Sequence, residues 1–139
     1  MFDHKDTLGH VSAHLARITS NRLREALIPL GLLPAQFTAL AEIAADEGLT
    51  QKQLVERLDL EQPGVARTLA GLERFGWIER RPLAGRSQGL YLADRAHLVL
   101  PRALEIAAEL DREATASLSR TERAQLLDVL GELAAVART

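Results

Sequence analysis

Five arginines stand close together between residues 64 and 86, and their side chains are suited to binding phosphate. They are Arg67, Arg74, Arg80, Arg81 and Arg86, against only Glu73 and Glu79, so this stretch has a local net charge of +3. A guanidinium group can donate two parallel hydrogen bonds to a phosphate, and it can also enter a narrow minor groove. Because a run of charges is often only a solvated surface, the elements around these arginines must decide what they do.

The first of these arginines lies on a predicted helix with an outer face of small residues. Val65, Leu69 and Leu72 recur at steps of four and three, which predicts a helix over about residues 63–75. The other face carries Gln62, Gly64, Ala66, Arg67, Thr68 and Gly71. An ordinary surface helix would rarely tolerate two glycines, which cost helix stability. The small residues favour close approach of something large, such as the major groove of a duplex, about 12 Å wide.

A shorter helix is predicted immediately before it. Thr50 and Gln53 have the spacing of a capping box, in which each side chain binds the backbone N–H of the other residue. Leu54, Val55 and Leu58 then form one apolar face, and Pro63 suits the first position of the next helix. Two helices joined by so short a turn predict a helix-turn-helix motif.

A β-hairpin is predicted directly after the helix pair. Gly76 can end the second helix in a left-handed cap. Residues 77–81 and 88–92 have the composition of two antiparallel strands, with residues 82–87 as the turn between them. Helix, turn, helix and basic hairpin, in that order, predict a winged helix that binds double-stranded DNA.

Four segments carry a resemblance to a known family. Gly31 to Leu40, Leu49 to Leu54 and Leu72 to Arg80 resemble the MarR (multiple antibiotic resistance regulator) family of bacterial transcription factors, and so does the segment from Leu118 to Leu127. The resemblance extends from about residue 8 to residue 136. It implies a mainly α fold with a small β-hairpin wing, in which N- and C-terminal dimerisation helices flank the winged helix-turn-helix.

This implies one domain over residues 1–139, with the DNA-binding region at residues 34–92 and dimerisation helices at residues 6–33 and 94–137. The flanking helices are predicted over about residues 6–28, 94–117 and from 120 onwards, where Ser119 and Glu122 form a second capping box. Their apolar stripes include Leu15 and Leu130 and exceed what one chain can cover, so we expect a homodimer that reads a pseudo-palindrome.

We assign ten residues to the DNA interface. Base reading is expected from Gln62, Gly64, Ala66 and Arg67, backbone contact from Arg80 and Arg81, and further contacts from Pro63, Thr68 and Arg74. Arg86 is expected in the minor groove. The family's wing usually has Asp-x-Arg at this point, whereas this chain has Ala84-Gly85-Arg86 in a turn about two residues shorter. The arginine is therefore kept without its carboxylate partner.

Composition agrees with a helical protein of this kind. The chain is 47% hydrophobic and only 4% aromatic, it has no cysteine, and its most apolar run is too short to span a bilayer. Because its first residues do not resemble a signal peptide, we expect a cytoplasmic protein without membrane contact. The net charge of −2 reflects an acidic segment after residue 104, which we expect to face away from the duplex.

Catalysis and metal binding have little support in the sequence. Nucleophile elbow, phosphate loop and zinc-protease motifs are missing, so we expect no enzyme and no cofactor. His10 and His14 are one helical turn apart and His97 could join them, but such histidines are usually surface or interface residues.

An effector is implied by the resemblance alone. Family members bind small aromatic or phenolic acids where dimerisation helices meet the winged helix, which here implicates His14, Arg17 and Phe37. The alternative is that Arg17 pairs with an acid across the dimer and that Phe37 is a core residue. We therefore expect a regulator, most simply a repressor released by such an acid; the alternative is an architectural or protein-binding winged helix without an effector.

Overall fold

The computed structural model describes residues 1–138 as six α-helices and one β-hairpin. The helices are α1 (Leu8–Leu27), α2 (Pro34–Ala45), α3 (Gln51–Leu58), α4 (Gln62–Arg74), α5 (Asp94–Ala114) and α6 (Arg120–Ala137), and the strands are β1 (Ile78–Pro82) and β2 (Gln88–Leu92). Short 3₁₀ turns lie at His4–Asp6 and Ile28–Leu30. The predicted mainly α fold, with a hairpin directly after the helix-turn-helix, is confirmed. The chain forms two compact units, residues 1–107 and the residues from Ala108 onwards.

Hydrogen bonds at the helix starts confirm both predicted capping boxes. At α3, the Gln53 N–H donates to Thr50 Oγ1 at 3.2 Å and the Thr50 N–H donates to Gln53 Oε1 at 2.9 Å. At α6, Ser119 and Glu122 make the same pair of bonds at 3.1 and 2.9 Å. Each box satisfies backbone donors that a helix start would otherwise leave unpaired.

Several predicted boundaries move by one to three residues. Strand β1 begins at Ile78 rather than residue 77, because the Trp77 N–H still bonds the Leu72 carbonyl at 2.8 Å as part of the helix ending around Gly76, whose φ is +78°. Helix α4 begins one residue before Pro63, and α1 ends one residue before Ile28. Helix α5 passes through Pro101 and ends at Ala114, three residues earlier than expected.

The core of the first unit lies beneath α4 and the hairpin. Leu40 and Ile43 of α2, Leu54 of α3, and Leu69 and Leu72 of α4 are all fully buried there. They are joined by Trp77, Leu90 of β2, and residues from the end of α1 and the first half of α5. This packing fixes which face of α4 points outward.

The hairpin is tied to the loop between α2 and α3 along strand β2. β1 and β2 are antiparallel, with Ile78 opposite Leu92 and Arg80 opposite Leu90. The Gly48 N–H donates to the Leu90 carbonyl at 2.8 Å, and the Leu90 N–H donates to the Leu49 carbonyl at 2.9 Å. β1 is therefore the outer edge of the hairpin, and β2 is held on both sides.

Helices α1 and α6 each expose a row of apolar side chains. On α1, Leu8, Val11, Leu15 and Ile18 are between 42% and 56% exposed, and they recur at helical spacing. In the second unit, described by itself, α6 has no buried residue and exposes Leu126, Leu127, Leu130 and Leu133. Within residues 1–138 no single helix is both long and apolar enough to cross a membrane, although Leu8–Leu30 and α2 together, bent by 77°, satisfy those two criteria.

Candidate nucleic-acid interface

Helix α4 presents the outer face that its sequence predicts. Val65, Leu69 and Leu72 are buried, which turns Gln62, Pro63 and Arg67 to solvent and leaves Gly64, Ala66 and Thr68 half-buried at the edge of that face. The Thr68 hydroxyl donates to the Gly64 carbonyl at 3.1 Å. Its oxygen can still accept a hydrogen bond from outside. The predicted base-reading residues are thus brought together along the first two turns of α4.

No contact among residues 1–138 explains why residue 64 is a glycine. A Cβ placed there would meet no atom within 4 Å, and its φ is not in the left-handed region. Glycine nevertheless costs a helix about 1 kcal/mol relative to alanine. Neither packing nor backbone conformation within the described residues requires a glycine here, and the surface over Gly64 is open to a molecule that approaches α4 from outside.

The turn before α4 is tight and carries a left-handed residue. Asp59 caps the end of α3 with φ 53° and ψ 43°. Only Leu60 and Glu61 lie between Asp59 and the start of α4 at Gln62. Aspartate is one of the few residues with a side chain that enters this region at modest cost. The turn places the first residues of α4 at the protein surface.

The five arginines differ in whether their guanidinium groups have a partner within the chain, which a count of charges does not show. Arg80 and Arg81 are bound to acids of the same chain, and the Arg74 guanidinium lies 5.6 Å from the centroid of the Phe75 ring. Arg67 and Arg86, by contrast, have no hydrogen-bonded side-chain partner or ion pair among residues 1–138, and both are exposed. They are the two arginines most available to an external phosphate or base.

Arg80 links three elements. Its Nε donates to Glu73 Oε2 of α4 at 3.0 Å, and its Nη2 donates to Gln51 Oε1 of α3 at 3.2 Å. Its side chain is only 23% exposed. Arg80 is predicted to hold the DNA backbone, and in the structure its guanidinium makes these two contacts within the chain.

Arg81 lies on the opposite face of the hairpin. Its Nε donates to Glu79 Oε1 at 3.0 Å, and its guanidinium lies 4.1 Å from the centroid of the Tyr91 ring. The hydrogen bond that Arg81 donates to Glu79 raises the pKa of Arg81 above its usual value. Tyr91 is thus part of the packing around the hairpin.

The tip of the hairpin carries Arg86 in a short, closed turn. The Leu83 N–H donates to the Ser87 carbonyl at 2.9 Å, and Gly85 has a φ of +78°, a conformation that favours glycine. Ala84 occupies the place where a family wing usually has aspartate. Arg86 is therefore oriented by the backbone turn and not by a neighbouring carboxylate.

Arg95 is a residue that sequence reasoning missed. Its Nη1 donates to the Phe75 carbonyl at 2.7 Å, and its guanidinium lies 4.1 Å from the centroid of the buried Trp77 ring. It therefore holds the end of α4 from the start of α5. Basic residues are common near helix ends, but the one here comes 20 residues later in the chain, so no local signal could have revealed it.

The predicted ligand residues occupy different environments. Phe37 is buried in the core, while His14 and Arg17 are exposed on α1. A shallow cavity of about 260 Å³ lies elsewhere in the first unit, between the end of α2, β2 and the first half of α5. It is lined by apolar side chains together with Glu47 and His97.

Within residues 1–138 no group of three or more histidine or acidic side chains could hold a metal ion, and the His4 and His10 rings meet edge to face at 5.5 Å.

Comparison with known proteins links this geometry to one group of regulators. Residues 30–87 match the family model described as MarR family. A Bacillus subtilis protein named uncharacterized HTH-type transcriptional regulator YwoH is 33% identical over 81 residues, which are 53% of this chain and 59% of that protein. The match thus spans less than two thirds of that relative.

Two solved structures with DNA have the same fold. A mutant MarR from E. coli complexed with operator DNA is 24% identical, with a TM-score of 0.86 over 95% of this chain and 99% of that one. The S. aureus MepR–DNA complex is 20% identical, with a TM-score of 0.88 over 97% of this chain and 99% of that one. At such identities the likeness is one of fold.

Proposed function

We propose that this chain, whose residues 30–87 match the MarR family model, is a transcriptional regulator and not an enzyme, and that it binds an operator in double-stranded DNA. Helix α4 is the recognition helix in this proposal and enters the major groove, while the hairpin is the wing. The observation that carries the proposal is the face around Gly64, which is open to the outside and has no use for a glycine within the chain.

The distribution of polar groups supports this use of α4. Gln62 and Arg67 are exposed at its start, and amide and guanidinium groups are those that read base edges in the major groove. Arg86 at the wing tip is uncommitted and exposed, and it suits a minor groove, whose negative potential attracts arginine. Two solved complexes with DNA have the same fold, one of them with operator DNA, which supports DNA binding by this chain.

A homodimer accounts for the exposed apolar stripes. We propose that α1 and α6 each bury their stripe against a second copy of the chain, and that two recognition helices then read two half-sites of a palindrome. Leu15→Glu and Leu130→Glu would each place a charge in such an interface. Sedimentation equilibrium at about 10 μM should show a dimer for the native chain and loss of the dimer for both variants. A well-folded native monomer at that concentration would refute this part of the proposal.

The DNA-binding experiment separates a regulator from an architectural protein. A duplex selected from a random pool should bind at least roughly 10³-fold more tightly than random sequence at physiological salt. Arg67→Ala should cost about 1 to 3 kcal/mol and relax the preference at one base position, if Arg67 reads a guanine. A selected duplex that binds no better than random DNA would favour the architectural alternative.

We further propose repression, release by a small aromatic or phenolic acid, and a cytoplasmic location, where the chromosome is accessible. Arg17, exposed on α1, is the cation proposed to bind the acid's carboxylate. An acid that weakens operator binding must, by linkage, bind less tightly to the DNA complex by the same factor. Thermal-shift screening of aromatic acids against the native chain and Arg17→Ala tests this. A hit that stabilises both equally would exclude Arg17.

A further inference from the structure

Arg80 joins the outer strand of the hairpin to both helices of the helix-turn-helix. Its Nε is bound to Glu73 of α4 at 3.0 Å and its Nη2 to Gln51 of α3 at 3.2 Å. Arg80 is 7 positions from Glu73 in the chain and 29 positions from Gln51. A single guanidinium on β1 therefore contacts both α3 and α4, and these contacts restrict the angle between the hairpin and the two helices.

The register of the hairpin explains why the Arg80 side chain points inward. Arg80 is directly opposite Leu90, and residues that face each other across two strands project to the same side of the sheet. Leu90 is fully buried. Arg81 and Glu79 project to the other side, where Arg81 stacks on Tyr91. Arg80 thus lies on the face of the hairpin that packs on the protein, unlike its neighbours.

The hairpin needs such a link along its outer strand. A two-stranded hairpin is marginally stable by itself in water. Backbone hydrogen bonds tie β2 to residues 48 and 49, but within residues 1–138 the strand pairing of β1 is with β2 alone. Among residues 1–138, the side-chain hydrogen bonds from β1 to these helices are those of Arg80, whereas Glu79 and Arg81 are bound to each other.

We propose that Arg80 is a positioning residue, which fixes the wing relative to the recognition helix through Glu73 and Gln51 and does not hold the DNA backbone. This inference rests on the proposed DNA-binding function. Its consequence is that Glu73, an acid on the recognition helix, supports DNA binding. Electrostatics alone would give the opposite sign, because removing a negative charge beside DNA strengthens attraction to phosphate.

That opposition of sign makes Glu73→Gln the decisive variant, with Glu79→Gln as its matched control. Both remove one carboxylate charge, and Glu79 is an exposed hairpin residue that pairs with Arg81 alone. We expect Glu73→Gln to weaken binding of the selected duplex by about threefold to tenfold, as for contacting residues that act together. Glu79→Gln should leave binding unchanged or strengthen it. Anisotropy titration with a labelled duplex measures both.

Arg80→Gln supplies the second readout. A lost phosphate contact lowers the slope of log affinity against log salt by about 0.9, whereas a lost positioning contact leaves that slope unchanged. We expect Arg80→Gln to weaken binding without changing the slope. The double variant with Glu73→Gln should be no weaker than Arg80→Gln alone, because both changes break the same contact.

Hydrogen exchange tests the contact without DNA. In Glu73→Gln and Arg80→Gln, the amides of residues 78–92 should exchange faster while those of the α2 and α4 core keep their protection; Glu79→Gln should change neither. The inference is overturned if Glu73→Gln binds as tightly as Glu79→Gln, if Arg80→Gln lowers the salt slope by about one, or if hairpin exchange is unchanged. If the native chain prefers no sequence, the proposed function fails, and hydrogen exchange alone then decides the positioning role.

Discussion

Replacing Gly89 with alanine should destabilise the protein, because the added methyl group has no room. A Cβ on Gly89 would lie 2.9 Å from the carbonyl oxygen of Gly48, 3.1 Å from its Cα and 3.0 Å from Cε2 of Tyr91. Favourable carbon contacts lie at about 3.5 to 4.0 Å. Two of the three neighbours are backbone atoms, which cannot rotate away as a side chain can.

The contacts around Gly89 set the expected loss in the free energy of unfolding. Strand β2 is held against Gly48 and Leu49 by two hydrogen bonds, of 2.8 and 2.9 Å, which the backbone C=O and N–H of the fully buried Leu90 make. Separating β2 from this loop weakens both bonds, each worth about 0.5 to 1.5 kcal/mol. Overpacking a close contact costs about 1 to 3 kcal/mol. These effects overlap, so we expect Gly89→Ala to lower the free energy of unfolding by about 2 to 3 kcal/mol.

Urea unfolding at one fixed protein concentration measures this loss, with Gly64→Ala as the control. Gly64 is also a glycine without a positive φ, but a Cβ there meets nothing within 4 Å. The comparison therefore isolates the lack of space at Gly89. A loss below about 0.5 kcal/mol in Gly89→Ala, the range of ordinary surface changes, would refute the argument that this contact is rigid.

Three further predictions concern the helix ends and the proposed groove face. Gly64→Ala should raise the free energy of unfolding by up to about 1 kcal/mol, because alanine favours helix, whereas Gly64→Glu should abolish operator binding in an anisotropy titration and keep the fold. Arg95→Ala removes the 2.7 Å hydrogen bond to the Phe75 carbonyl; we expect a loss of about 1 to 2 kcal/mol in urea unfolding, since bonds from charged donors are the stronger ones, and a loss near zero would contradict this. Hydrogen bonds from Ser119 lower the pKa of Glu122, so their stabilisation is present above the ordinary glutamate pKa and is lost as pH falls through the lowered one. Stability measured between about pH 6 and 3 should therefore fall less steeply in Glu122→Gln, and identical pH profiles would show that the cap does not act this way.

Local signals allowed much of the fold to be predicted from the sequence. A capping box depends on two residues three positions apart, so Thr50 and Ser119 predicted the starts of α3 and α6 correctly. The spacing of Val65, Leu69 and Leu72 predicted the buried face of α4, because helical periodicity alone decides which residues share a face. The order of elements and the family resemblance followed from the same local information.

Contacts between distant residues were decided only by the tertiary structure. Counting charges treated five arginines as equivalent, since the sequence does not show which acids approach them. Folding pairs Arg80 with Gln51, 29 residues away, and leaves Arg67 and Arg86 available. Likewise Gly89 is needed because Gly48 packs against it, and Arg95 binds the end of a helix 20 residues earlier. Sequence determined the elements and their faces because those depend on neighbours along the chain; which side chains are free to act depends on what folding brings beside them.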